Sequence, residues 1–163
     1  MTIDELNSRD RRNFVDAVGW VFEGSPWVAE RAWTRRPFTG VDALHQAMVA
    51  EVAAAAAEER LALLRAHPDL GGRARMSDAS TAEQAQAGLD TVSRSELERL
   101  TALNTAYREK FDFPFLYAVR GASKQDILSV LEKRLLGTRE AELDEALRQV
   151  FRLARFRLED LFP

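Results

Sequence analysis

The chain of 163 residues contains no cysteine. This excludes disulfide staples, thiolate zinc sites, iron–sulfur ligation and a cysteine nucleophile. Histidine is nearly as scarce, with two residues, His45 and His67. No HExxH pair occurs and neither histidine has a second one nearby in sequence, so no metal site is expected. An excess of positive charge is also missing. The 23 basic residues face 26 acidic ones, for a net charge of −3. That balance offers no field for neutralising phosphates, and nucleic acid is not an expected partner. Long apolar runs are absent too. The blandest stretch, Val52 to Ala57, ends at Glu58 and Glu59 and is far too short to span a bilayer. The opening MTIDELNSRD carries charges where a signal core would be apolar, and the closing LEDLFP is no recognised targeting tag. The expected location is cytoplasmic, with no membrane partner.

What remains is a chain with 46% hydrophobic and 30% charged residues, the balance of a soluble globular protein. Its length suits one domain, residues 1–163. Alanine, leucine, glutamate and arginine dominate while valine and isoleucine are sparse, so the expected class is all-α: a single compact domain of seven to nine helices around one core. Helices are expected over Ile3 to Asn7 and about Asp10 to Gly19. Ser25 and Pro26 should open a short one toward Thr34, broken by Pro37. A long stretch from Val41 to Ala66 follows, with room for a split. Pro68, Gly71 and Gly72 stop it, and Arg73 to Ala79 reads as loop. Ser80 should start a helix ending near Gly88. Ser93 and Glu96 have capping-box spacing and open a helix with Leu97, Leu100, Asn104, Tyr107 and Phe111 on one face. Asp112 to Gly121 is an aromatic linker. Ser123 begins the next helix, ended by Gly137. The last helix presents Leu143, Leu147, Val150, Phe151, Ala154 and Leu158.

Few residues suggest chemistry. Pro68 disfavours helix at His67, which places that ring at a helix C-terminal lip. There it either exchanges a proton near neutral pH or merely bonds a free carbonyl. His45 sits inside a helix with nothing near it to suggest a site. In STAEQAQAGLD, Ser80 and Glu83 fit a capping box, yet Glu83 and Gln84 also suit a ligand rich in N–H and C=O groups. Arg157 falls near the apolar stripe of the last helix. It either snorkels around the edge or aims a guanidinium into a pocket as a carboxylate clamp. FDFPFLYAVRG is either a core plug or a pocket lining that offers backbone groups. RAHPDLGGRAR lacks both P-loop spacing and GxGxxG, so a nucleotide fold is rejected.

Taken together, FEGSPWVAERAWTRRPF, LLRAHPDLGGRAR, STAEQAQAGLD, LNTAYREKFDFPFLYAVRG and ALRQVFRLARFRLEDL carry a resemblance over nearly the whole chain. The chain resembles the 2-oxo-4-hydroxy-4-carboxy-5-ureidoimidazoline (OHCU) decarboxylases of urate degradation. The resemblance implies an all-helical homodimer with a cofactor-free active site that forms (S)-allantoin. The family's catalytic histidine falls on His67, with Pro68 beside it. Its serine, glutamate and glutamine fall on Ser80, Glu83 and Gln84. Its final-helix arginine falls on Arg157. Its backbone contacts to substrate fall on Phe115, Leu116, Tyr117, Ala118 and Val119. Catalysis would rest on His67 and Glu83, and substrate binding on the others. Where the family often has a histidine before SPW, this chain has Gly24. Two rival classes are a helical interaction module, with His67, Glu83 and Arg157 scattered over its surface, and a hydrolase acting on 5-hydroxyisourate in the preceding step. The hydrolase would need an activated water, and the sequence shows no metal set or triad to supply one.

Overall fold

The computed structural model describes residues 1–71 and 77–163. Among them are nine α-helices, two single-turn 3-10 helices and no β-strand, which bears out the all-α class. The helices are α1 (Ile3–Asn7), α2 (Arg11–Val18), α3 (Trp27–Ala32), α4 (Val41–Ala54), α5 (Ala57–Arg65), α6 (Asp78–Gln86), α7 (Arg94–Phe111), α8 (Lys124–Arg134) and α9 (Arg139–Leu161). The chain divides into two compact units. One comprises Met1–Ala66 and Phe151–Pro163, the other His67–Val150.

The first unit holds α1 to α5 and the last part of α9. Thr2 caps α1 in a reciprocal pair with Glu5, and Asp10 caps α2 by accepting from the Asn13 amide at 2.8 Å. Each satisfies an amide that a helix start leaves unpaired. Phe14, Val18, Phe22, Leu44, Met48 and Leu63 are fully buried here, which is the chief stabilising contribution to these short helices. α3 differs from expectation. Pro26 is its N-cap rather than its first helical residue, and the Ser25 hydroxyl turns to the Glu23 carbonyl instead of capping. The long stretch does split. Ala55 adopts extended backbone, and the Glu59 carboxylate accepts the Ala56 amide to start α5. α5 ends at Arg65 with Ala66 as C-cap, as Pro68 requires.

The second unit holds α6, α7, α8 and the first part of α9. The start of α6 departs from expectation. Ser77, not Ser80, is the N-cap, and its Oγ accepts from the Ser80 amide at 3.1 Å. With Ser77 as cap and Asp78 in the first turn, a favourable place for a carboxylate, Ser80 falls inside the helix. The helix therefore already includes Asp78 and Ala79. The rest of the expected loop, 73–76, lies outside the described residues. Ser93 and Glu96 form the expected capping box on α7, and Ser123 with Asp126 forms another on α8. Tyr107, Phe111, Phe113 and Phe115 are buried as one aromatic cluster, Tyr107 lying 4.5 to 5.9 Å from each of the other three ring centroids.

Candidate active site

His67 is buried, at 5% exposure, in the turn that follows α5. Pro68 removes an amide and bars helix at His67, so the chain departs here. The next three residues are each tied by a side chain. Arg108 donates to the Asp69 carboxylate at 2.9 Å, and Asn104 Nδ2 donates to the Leu70 carbonyl at 2.9 Å. The Gly71 amide donates to Gln84 Oε1 at 2.8 Å. Gly71 has φ +69°, and a β-carbon there would collide with Leu100 Cδ2, so glycine is required.

α6 carries the second group. Ser80 and Gln84 are buried and Glu83 is half-buried. Ser80 and Gln84, four residues apart, share one helix face. The Gln84–Gly71 bond joins this helix to the turn that holds His67 and Pro68. Two motifs far apart in sequence thus meet, and neither His67 nor Glu83 lies exposed as a surface module would have it.

Phe115–Val119 is neither helix nor strand. The Leu116 carbonyl accepts from Arg134 Nη1 at 2.5 Å, and the Ala118 amide donates to Gln149 Oε1 at 3.0 Å. Arg134 is held in turn. Its Nε donates to Glu142 Oε1 at 2.8 Å, and the Tyr107 hydroxyl donates to the same oxygen at 2.6 Å. The guanidinium lies 4.7 Å from the centre of the Phe115 ring, a favourable cation–π placement. Burial, reinforced by the Glu142 carboxylate, pushes the Tyr107 phenol well above its ordinary pKa, so it remains a donor. Sequence reasoning missed Arg134, Glu142 and Gln149. The expected stripe on α9 is met in part: Val150, Ala154 and Leu158 are buried, Leu143, Leu147 and Phe151 are only half-buried, and the stripe continues instead through Ala146 to Glu142. A stripe centred on Ala146 would have drawn attention to Glu142.

In the first unit, Arg157 on α9 is 2% exposed. It does not snorkel. Its Nη2 lies 3.1 Å from Glu23 Oε2, and its Nη1 donates to the Val21 carbonyl at 3.2 Å. Glu23 is itself buried, and Gly24 beside it takes φ +62°. Sequence reasoning did not single out Glu23, because a glutamate is buried only where it is paired, and its partner Arg157 lies far along the chain. The neighbouring arginines behave as solvated charge. Arg148 and Arg152 are exposed, and Arg155 pairs with Asp42 and Glu159 near the surface. His45 is half-buried, with Nε2 2.8 Å from the Phe151 carbonyl, a structural role. Among the described residues no three His, Cys, Asp or Glu side chains are arranged to hold a metal ion, and no helix is long and apolar enough to cross a membrane.

The model of the OHCU decarboxylase family matches residues 7–159. The chain belongs to the OHCU decarboxylase family. A relative from Halalkalicoccus jeotgali, a 2-oxo-4-hydroxy-4-carboxy-5-ureidoimidazoline decarboxylase, is 47% identical over 161 residues, covering 99% of this chain and 92% of its own. A crystal structure of (S)-allantoin synthase superimposes with a TM-score of 0.82 at 32% identity, covering 99% of this chain. This chain spans 54% of that protein. A crystal structure of OHCU decarboxylase in the presence of (S)-allantoin gives a TM-score of 0.73 at 27% identity, covering 87% of this chain and 94% of that one. Membership of the OHCU decarboxylase family bears out the expected lyase chemistry in purine metabolism. The turn at His67, the Ser80–Gln84 helix face and the anchored Phe115–Val119 segment are therefore parts of an enzyme, not of a binding module.

Proposed function

We propose that this enzyme removes the carboxyl group of OHCU and delivers (S)-allantoin, with His67 and Glu83 acting at the reacting centre. The C–C bond to the carboxylate breaks, carbon dioxide leaves, and the electron pair passes into the neighbouring ring as an enolate-like anion. One proton then adds to one face. The substrate's own ring is the electron sink, so the step needs no cofactor. Preorganised donors around that ring supply most of the rate gain.

His67, held at a turn with restricted backbone, manages the proton of the substrate hydroxyl. Glu83 orients the ring or ureido N–H groups, beside Gln84. The Leu116 carbonyl and Ala118 amide already serve the protein. Reading of the ureido edge therefore falls to the other backbone groups of Phe115–Val119. Pro68 and Ser80 line the same neighbourhood. Arg157 binds an anionic oxygen. A fixed donor reaches one face of the ring, which is why a single enantiomer forms. The enzyme works as a cytoplasmic homodimer in this reading, the dimer following the family resemblance.

One observation carries the assignment of the site: the 2.8 Å bond from the Gly71 amide to Gln84 Oε1, which brings the histidine turn and the carboxylate–amide helix together. The test uses freshly generated OHCU, with carbon dioxide release and chiral detection of allantoin. His67→Ala should lower kcat by about 10²–10⁴-fold, the usual scale for loss of a general acid–base group, while its circular dichroism and melting remain normal. A folded His67→Ala enzyme with full kcat, or racemic product from the native enzyme, removes the assignment.

A further inference from the structure

One face of α7 is matched, residue by residue, to the turn after His67. Leu100, Asn104 and Arg108 are spaced four apart and so lie in one row along the helix. Leu100 meets Gly71, Asn104 holds Leu70, and Arg108 holds Asp69. The row and the turn run in opposite directions and stay in register over three consecutive residues. The outer contact is weak, because the Arg108–Asp69 pair is 47% and 37% exposed and solvent screens such pairs. The middle contact is different. Asn104 is only 6% exposed.

Asn104 is also an unexpected residue for its place. It occupies the apolar stripe of α7 between Leu100 and Tyr107. Its Oδ1 is buried and makes no hydrogen bond among the described residues. An unmet buried acceptor costs stability, so an apolar side chain would suit the stripe at least as well. What an apolar residue lacks is the Nδ2 donor to the Leu70 carbonyl. That carbonyl lies three residues beyond His67, with Pro68 stiffening the link between them.

We propose that Asn104 is a positioning residue of the decarboxylase: its Nδ2 fixes the Leu70 carbonyl and thereby the place of the His67 ring. The inference rests on the reading of His67 as the catalytic histidine. It adds a residue that need not touch substrate and acts through the turn. A shift of about 1 Å in a catalytic group is enough to cost about 100-fold in rate.

The chain's two histidines supply the test. The ring resonances of His67 and His45 are assigned by the loss of one of them in His67→Ala. His45, bonded to the Phe151 carbonyl, reports on general disturbance. In Asn104→Leu the His67 resonance should move while that of His45 stays. Its kcat should fall about 10–100-fold, with KM within about twofold and melting close to native. Arg108→Ala should leave kcat within about threefold. If Asn104→Leu does not fold, Asn104→Ser is measured in the same way. Native kcat in a folded Asn104 variant, an unmoved His67 resonance, or joint movement of both histidines overturns the proposal. Full kcat in His67→Ala, by contrast, overturns the reading of His67 and leaves the resonance shift to judge the brace alone.

Discussion

Each compact unit buries an arginine–glutamate pair, and the two pairs differ in what surrounds them. Arg134 and Glu142 are 10% and 7% exposed, and Arg157 and Glu23 are 2% and 8% exposed. Around Arg134 the contacts converge on a carboxylate, a backbone carbonyl and a ring. Glu142 Oε1 takes two donors, the Leu116 carbonyl takes a third, and the Phe115 ring covers the guanidinium. This pair is a buttress for backbone. Arg157 is held by the Glu23 carboxylate and the Val21 carbonyl, two residues apart in sequence. One pair thus anchors the Phe115–Val119 backbone and the other anchors the backbone at Val21, and the function proposed above adds a substrate-binding role for Arg157.

The comparison is tested most severely by removing one carboxylate at a time. Glu142→Ala and Glu23→Ala each strand a buried guanidinium. Each should lower the unfolding free energy by about 3–5 kcal/mol, measured by urea denaturation. A loss below about 1 kcal/mol would show that the guanidinium finds water and that the pair is not a buried one. A finer separation comes from replacing whole pairs by apolar residues, which is often neutral for stability. Arg134→Met with Glu142→Leu should recover most of the lost stability while raising KM severalfold, because Leu116 loses its anchor. Arg157→Met with Glu23→Leu should also recover stability, yet show a far larger rise in KM or fall in kcat. Equal kinetics in the two double variants would erase the distinction between buttress and binding group.

The smallest expected effect concerns the half-buried Glu96 and the exposed Asp126, which start helices, as a contrast to the buried carboxylates. Backbone amides and cap hydroxyls hold Glu96 and Asp126 below their ordinary values of 4.5 and 3.8. A depressed folded pKa contributes stability above the unfolded value and loses it as pH falls through the folded one. Melting should therefore hold steady from neutral pH to about 5 and decline below that. Glu96→Gln and Asp126→Asn should flatten the acid limb slightly. An acid limb unchanged in both variants would assign the decline to other groups.

Much of the fold was legible because its signals are local. Ser93–Glu96 and Ser123 opened helices where the spacing said they would, and Pro68 ended one. The miss at Ser77 arose between two serines three residues apart, where only the competing first-turn geometry decides. The split of the Val41–Ala66 stretch was allowed for, but its place at Ala55–Ala56 was illegible because an alanine run carries no punctuation. Among candidate site residues, His67, Ser80, Glu83, Gln84 and Arg157 were singled out by type and place. Their braces, Asn104, Glu23, Arg134, Glu142 and Gln149, were not. Asn104 reads as one more member of a helical stripe, and nothing local in the sequence sets Arg134 apart.

The sequence by itself determined the helical class, most element boundaries and which side chains bear chemistry, because propensity, capping and proline geometry act over a few residues. Only the tertiary structure decided that α7 meets the histidine turn in register and that two arginines are buried against carboxylates. The ties between α7 and the turn join residues 34 and 39 positions apart, and Arg157 lies 136 positions from Val21; Arg134 and Glu142 are only eight apart, but they meet across the break between α8 and α9. No local preference of the chain encodes which distant partner a buried donor will find.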